Sequence, residues 1–204
     1  MTGLFLTVEG GDGSGKSTQS ALLSEWLEAQ GRTVVLTREP GGTDLGNEIR
    51  DIVLHRRGHI APRAEALLYA ADRAHHVATK VRPALERGDI VLQDRYLDSS
   101  VAYQGAGRVL DPDEVRNLSL WAAEGLLPDL TILLDLDASL GRDRLKERTM
   151  YDRLEDEEQD FHARVRAAYL ELAAAEPDRF LVVNASDSVE SITTAIRERV
   201  RGLL

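Results

Sequence analysis

Gly10-Gly11-Asp12-Gly13-Ser14-Gly15-Lys16-Ser17 fits the pattern G-x-x-x-x-G-K-[ST] without a gap. It follows the apolar run Leu4-Phe5-Leu6-Thr7-Val8 and precedes an amphipathic stretch, Ser20 to Gln30. Between a strand and a helix, such a loop turns successive backbone N–H groups inward, where they surround a phosphate. The helix N-terminus adds partial positive charge, Lys16 reaches the β/γ-phosphates, and Ser17 can hold Mg²⁺. Glycines are needed because a Cβ would block positive φ or close approach of the backbone. At ordinary glycine usage a chance match arises in roughly one chain in a hundred of this length. The flanking strand and helix make chance rarer still, so a merely flexible glycine turn is the weaker reading. The loop marks a nucleoside triphosphate site.

Outward from the loop, short apolar segments alternate with longer helical ones. Strands are predicted at Leu4–Glu9, Thr33–Arg38, Ile90–Asp94, Leu130–Asp135 and Phe180–Asn184. Each is short and apolar, as strands buried on both faces are. Helices are predicted at Lys16–Gln30, Asp44–Leu54, Pro62–Arg87, Pro112–Ala123, Leu140–Lys146, Asp160–Ala175 and Val189–Leu203. Gly31 and Gly88 fit as C-terminal caps. The alternation gives a single α/β domain, a P-loop NTPase-type three-layer α/β/α sandwich with a five-stranded parallel sheet. No internal repeat or linker divides the chain. The densely charged segment 147–160 reads by composition as a solvated surface loop.

Composition narrows the function. The 204 residues are 43% hydrophobic and 29% charged, which is ordinary for a globular domain. The longest apolar stretches are too short to span a bilayer, and no signal peptide precedes the first strand. No cysteine is present, which excludes disulfides and thiolate metal sites. A cytoplasmic location is the expectation. The net charge of −10 argues against bulk nucleic-acid binding, although arginines gathered in one cleft can still hold phosphates.

Open α/β sheets bind ligands beyond the carboxyl ends of their strands. Those ends read Glu9, then Arg38-Glu39-Pro40-Gly41-Gly42, then Asp94-Arg95-Tyr96, then Asp135. Arg38 and Arg95 are suited to a second phosphate because a guanidinium fork bonds two oxygens at once. The carboxylates can orient those arginines or hold Mg²⁺ through water. Two facing phosphate sites suit phosphoryl transfer, in which the protein mainly positions reactants and neutralises charge.

Glu9-Gly10-x-Asp12-Gly13-x-Gly15-Lys16-Ser17, Thr37-Arg38-Glu39-Pro40-Gly41-Gly42-Thr43, Asp94-Arg95-Tyr96 and Ala102-Tyr103-Gln104-Gly105 together resemble the bacterial thymidylate kinase family. Tyr69-Ala70-Ala71-Asp72-Arg73 and Arg166-x-x-Tyr169 add to the likeness, which runs in order to about Ala175. The resemblance implies transfer of the γ-phosphate of ATP to dTMP, giving dTDP and ADP, with Mg²⁺ as cofactor. It implies that Arg95 and Arg38 hold the dTMP phosphate, with Glu9, Glu39 and Asp94 beside them. Tyr69 would stack on thymine, Arg73 would bond its O4, and Ser100 and Gln104 would line the pyrimidine edge. Tyr69 stands where the family usually has Phe, so its hydroxyl needs a partner. Tyr103 would lie by the sugar and disfavour a 2′-hydroxyl. Asp12 would position the sugar or a metal-bound water.

Some family members carry a catalytic arginine inside the phosphate loop, directly after the acidic residue. Here that position is Gly13, so the resemblance implies that segment 147–160 is a short lid supplying the arginine, with Arg148 first, Arg153 second and Arg144 third. It also implies a homodimer packed through helices. The alternatives are a kinase for another monophosphate or a deoxynucleoside and, more remotely, a P-loop GTPase switch. Against the last, the chain shows neither N-K-x-D nor a D-x-x-G after a strand. The five histidines are read as surface or packing residues rather than metal ligands.

Overall fold

A computed structural model describes residues 3–56, 58–108, 110–145, 153–155 and 157–204. Five strands, β1 (Leu4–Gly10), β2 (Val34–Arg38), β3 (Ile90–Asp94), β4 (Leu130–Asp135) and β5 (Phe180–Asn184), form one parallel sheet in the order β2-β3-β1-β4-β5. The central strand β1 is therefore flanked on both sides, and its carboxyl end opens at the middle of the sheet. Register aligns the ends that matter: Asp94 pairs with both Val8 and Arg38.

Alternation along the strands sends side chains to two cores. Leu6, Val8, Leu92, Ile132 and Leu134 pack on Leu23 and Leu27 of α1 (Lys16–Glu28) and on Ile192, Ile196 and Val200 of α9 (Val189–Arg201). On the opposite face Phe5 and Val91 meet Val77, Val81 and Ala84, while Leu133 and Phe180 meet Phe161, Val165 and Tyr169 of α8 (Gln159–Ala175). This is the expected three-layer sandwich. A buried polar pin crosses its second face, where the Arg179 guanidinium donates to both Asp98 oxygens at 2.7 and 2.9 Å and to Thr131 Oγ1 at 2.8 Å.

The remaining helices differ from expectation in instructive places. The predicted helix Asp44–Leu54 is α2 (Asp44–Arg50) continued by a π turn, Asp51–His55. The predicted helix Pro62–Arg87 runs as α3 (Pro62–His76), a π turn (Val77–Val81) and α4 (Arg82–Glu86). Pro83 explains the interruption: it lacks an N–H and crowds the carbonyl one turn back, and a widened turn relieves both. No helix was predicted directly after Asp94-Arg95-Tyr96, yet α5 (Leu97–Ser100) begins there and passes into a π turn, Val101–Gly107. Next come α6 (Pro112–Ala122), capped by the Asp111 side chain, and α7 (Ala138–Leu145).

One backbone contact ties α7 to the phosphate loop. Gly13 has φ of +76°, and a Cβ there would lie 2.6 Å from Gly141 O. Conversely, a Cβ on Gly141 would lie 2.5 Å from Asp12 O. Both values are below what side-chain carbons tolerate, so Gly13 makes room for the Gly141 carbonyl and Gly141 for the Asp12 carbonyl. Gly141→Ala should therefore lower unfolding free energy by about 1–3 kcal/mol, the usual cost of overpacking. Gly11→Ala, where an added Cβ meets nothing within 4 Å, should stay within about 0.5 kcal/mol of the parent. Urea unfolding of the two variants checks this; equal stabilities would refute the packing argument.

Candidate active site

The carboxyl ends of β1, β2 and β3 open into a cleft of about 420 Å³, within the range of small-molecule sites. Its lining includes Lys16 and Ser17 from the loop, Arg38 and Glu39 after β2, Tyr69 and Arg73 from α3, and Asp94 and Arg95 after β3. Ser100, Tyr103 and Gln104 enter from α5 and its π turn, and Arg144 from α7. Most of the sequence-predicted residues thus line one cavity, with Glu9 beneath it, while Arg153 does not line it and Arg148 lies outside the described residues. Sequence reasoning missed Arg50, which also lines the cleft and donates to Pro40 O at 3.0 Å.

Arg95 is the hub. It takes a positive φ of 63°, a conformation a non-glycine residue adopts only when its surroundings hold it there. Its Nη2 donates to Asp12 Oδ1 at 2.5 Å and to the Tyr103 hydroxyl at 3.1 Å, and its Nη1 reaches Ser99 Oγ and the Tyr169 hydroxyl at 3.3 and 3.4 Å. The guanidinium carbon lies 4.8 Å from the Tyr103 ring centroid, a cation–π distance. Tyr103 in turn donates to Asp12 Oδ2 at 3.2 Å. Burial pushes the Asp12 carboxyl up, but Arg95 and Lys16 outweigh it and leave Asp12 below the usual range. Asp12 is therefore an acceptor at neutral pH and not a proton donor.

Glu9 supports this hub without lining the cleft. Fully buried, it accepts from Tyr96 N at 2.7 Å, from Ser99 Oγ at 2.6 Å and from the Tyr169 hydroxyl at 2.8 Å. Burial, reinforced by Asp98, pushes its pKa up to about 7. Tyr169 lies in the sequence's Arg166-x-x-Tyr169 segment, but its partners come from β1 and α5, so only the fold reveals its role.

A second buried network holds Arg73. Its Nε donates to Glu39 Oε2 at 2.9 Å, Nη1 to Ser119 Oγ at 3.0 Å and Nη2 to Ser100 Oγ at 3.1 Å. His76 bridges Glu39 Oε1 at 2.9 Å and Thr37 Oγ1 at 2.7 Å. Read from sequence as a packing residue, His76 instead fixes the loop after β2. Its spacing three residues from Arg73, one helical turn on, was the available signal.

The phosphate loop supplies the third component. Lys16 Nζ donates to Gly10 O and Gly11 O at 3.1 and 2.9 Å, and α1 begins at Lys16. Across the cleft, Arg38 forms no hydrogen bond or ion pair among the described residues, and its side chain is exposed to the cavity. Asp94 Oδ1 is buried and accepts no hydrogen bond among the described residues. The Ser17 hydroxyl on the same cleft is likewise uncommitted among the described residues. A free hydroxyl and an orphaned carboxylate oxygen beside a phosphate loop fit a divalent cation that takes its other ligands from phosphate and water.

The lid arginines separate. Arg148 lies outside the described residues. Arg153 turns away from the loop, pairing with Glu65 and donating to Val53 O at 2.9 Å. Arg144 faces the loop, donating to Gly13 O at 3.2 Å and to Ala185 O at 3.1 Å.

The chain has known relatives. The family model described as thymidylate kinase matches residues 8–196. A thymidylate kinase from Leifsonia xyli subsp. xyli is 77% identical over 201 residues, covering 98% of this chain and 95% of its own. One from Clavibacter sepedonicus is 74% identical over 205 residues, covering 100% of this chain and 97% of its own. Among solved structures, thymidylate kinase from Ehrlichia chaffeensis matches with a TM-score of 0.78 and 32% identity, over 100% of both chains.

The raised Glu9 pKa sets a pH dependence. A carboxyl that folding moves from 4.5 to about 7 makes the folded state bind the extra proton between those values. Its contribution to stability is full below the unfolded pKa and is lost as pH rises through about 7. Chemical denaturation of the parent should show this decline between pH 5 and 7, and Glu9→Gln should make it shallower, the remainder coming from Asp72, which burial and Glu39 also push up to about 7. An identical slope in both proteins would refute the assignment.

Proposed function

The chain belongs to the thymidylate kinase family, and we propose that this cleft transfers the γ-phosphate of ATP to dTMP with the residues described above in distinct roles. The observation that carries the proposal is a second set of cations beside the phosphate loop. Lys16 of the loop shares the cleft with Arg95, held by Asp12, and with Arg38, which has no partner among the described residues. An acceptor without a phosphate would leave the second pair unused.

In this reading residues 10–17 hold the donor phosphates through backbone N–H groups and Lys16. Arg95 and Arg38 hold the dTMP phosphate. Arg95 is pre-aimed by Asp12, Tyr103, Ser99 and Tyr169, so its orientation is fixed before substrate arrives. Tyr69 offers its ring to the base, while Arg73, Ser100 and Gln104 present polar groups to the base edge. Tyr103, buried beside Asp12, fills the volume a 2′-hydroxyl would need. Ser17 and Asp94, with Asp12 through water, would hold Mg²⁺, which neutralises charge on the donor phosphates when bound. Glu9 and Glu39 act from behind, through the residues they hold.

Phosphoryl transfer asks little covalent chemistry of the protein. Its demands are alignment, charge neutralisation and exclusion of water. Closure of the segment around 147–160 over the cleft would bring a lid arginine to the transferring group and limit ATP hydrolysis. Arg148 is the first candidate for that contact, followed by Arg153. Arg144 already lies against the loop. A homodimer is supported by exposed apolar side chains on α3 and α6, Leu67 and Trp121; light scattering at twice the chain mass would test it.

Three measurements check these roles. Purified protein with ATP and Mg²⁺ should turn over dTMP far faster than thymidine, CMP or GMP in a coupled ADP assay. Comparable rates with thymidine would overturn the two-phosphate reading. Lys16→Ala should lower kcat by about 10²-fold or more while calorimetry shows dTMP affinity nearly unchanged. Arg148→Ala should lower kcat more than it raises KM for dTMP, because its contact forms mainly in the transition state. If only Arg153→Ala or Arg144→Ala behaves this way, the lid assignment moves to that residue.

A further inference from the structure

Glu65 belongs to no motif that marks the cleft, and it does not line it. It lies on α3, one turn before Tyr69, and is completely buried. Three donors converge on it, two from the π turn after α5 and its end and one from residue 153. Gln104 Nε2 donates to Oε1 at 2.9 Å, Arg108 Nε donates to Oε1 at 3.2 Å, and the Arg153 guanidinium binds Oε2. With guanidinium groups against both oxygens, the carboxylate presents acceptors only.

That constrains Gln104. A glutamine amide has a donor end and an acceptor end of nearly the same shape, and its environment decides which faces a ligand. Here the acceptor-only carboxylate takes the Nε2 end. The Oε1 end accepts no hydrogen bond among the described residues, and Gln104 lines the cleft. On the same wall, Arg73 carries only donors, and Glu39, Ser119 and Ser100 each take one of them. The wall thus offers an acceptor from Gln104 beside remaining donors from Arg73.

We infer that Glu65 is a positioning residue for base selectivity, fixing the Gln104 amide so that the cleft accepts a 4-oxopyrimidine and rejects a 4-aminopyrimidine. A 4-oxopyrimidine shows an N3–H donor and an O4 acceptor, which complement Gln104 Oε1 and Arg73. A 4-aminopyrimidine shows the reverse at both positions, so donors face donors and acceptors face acceptors in a buried wall. Such mismatches are costly because no water can repair them. Glu65 acts through Gln104 and never touches the base. The inference rests on the reading of this cleft as the dTMP site.

Glu65→Gln tests it. A neutral amide can donate or accept, so Gln104 is free to turn. The ratio of kcat/KM for dTMP to that for dCMP should fall by about 10-fold or more, as expected when one buried mismatch is relieved. Loss of the Arg153 contact or of general packing would slow both substrates alike and leave the ratio unmoved. Glu65→Gln combined with Gln104→Leu should lower the ratio no further than Gln104→Leu alone. An unchanged ratio in Glu65→Gln, where Gln104→Leu does change it, overturns the inference and leaves the dTMP site intact. An unchanged ratio in Gln104→Leu overturns the base-site reading itself. Should Glu65→Gln not fold, nitrogen-15 NMR of the unmodified protein decides. Slow solvent exchange of the Gln104 side-chain amide supports the bond to Glu65, and free exchange of both its protons refutes it.

Discussion

A guanidinium removed from water needs an anion and further acceptors, and the cleft is organised around that demand. Arg95 is matched by Asp12, Arg73 by Glu39, and Arg179 by Asp98. Arg108 and Arg153 share Glu65. Breaking such a pair leaves an uncompensated buried charge, so each one fixes the relative placement of two chain segments. Asp12 joins the loop after β1 to the residue after β3. Glu39 joins the loop after β2 to α3. Ion pairs therefore do at the carboxyl edge of the sheet what apolar packing does between its layers.

The same arrangement reconciles an acidic chain with phosphate-binding chemistry. Carboxylates that neutralise arginines from behind leave the forward N–H groups available to a ligand. Arg73 shows this most fully: Glu39 takes its Nε and serine hydroxyls take one donor from each terminal nitrogen, while the residue also lines the cleft. Net charge records only the sum. Direction is set by which side of each guanidinium its partner occupies.

The layered fold was legible because its strands are buried on both faces and so read as uninterrupted apolar runs; β3, β4 and β5 appear where they were expected. The phosphate loop was legible from glycine spacing, and Arg38 and Arg95 from their place at strand ends. Glu65, His76 and Tyr169 were hidden, because each acquires its role from partners at least 37 residues away in sequence. Helix α5 escaped because it is a single turn passing directly into a π turn, too short for periodicity to register. The direction taken by Arg153 was equally unreadable, since the chain carries many charges near it and only folding selects Glu65.

The reciprocal contact of Gly13 with Gly141 bears on how such a protein can change over generations. A side chain at Gly13 is one substitution away, but the Gly141 carbonyl occupies the space its first carbon would need. Such a change is admissible only together with a displacement of the backbone at Gly141 on α7. The phosphate loop and α7 are therefore constrained to vary together.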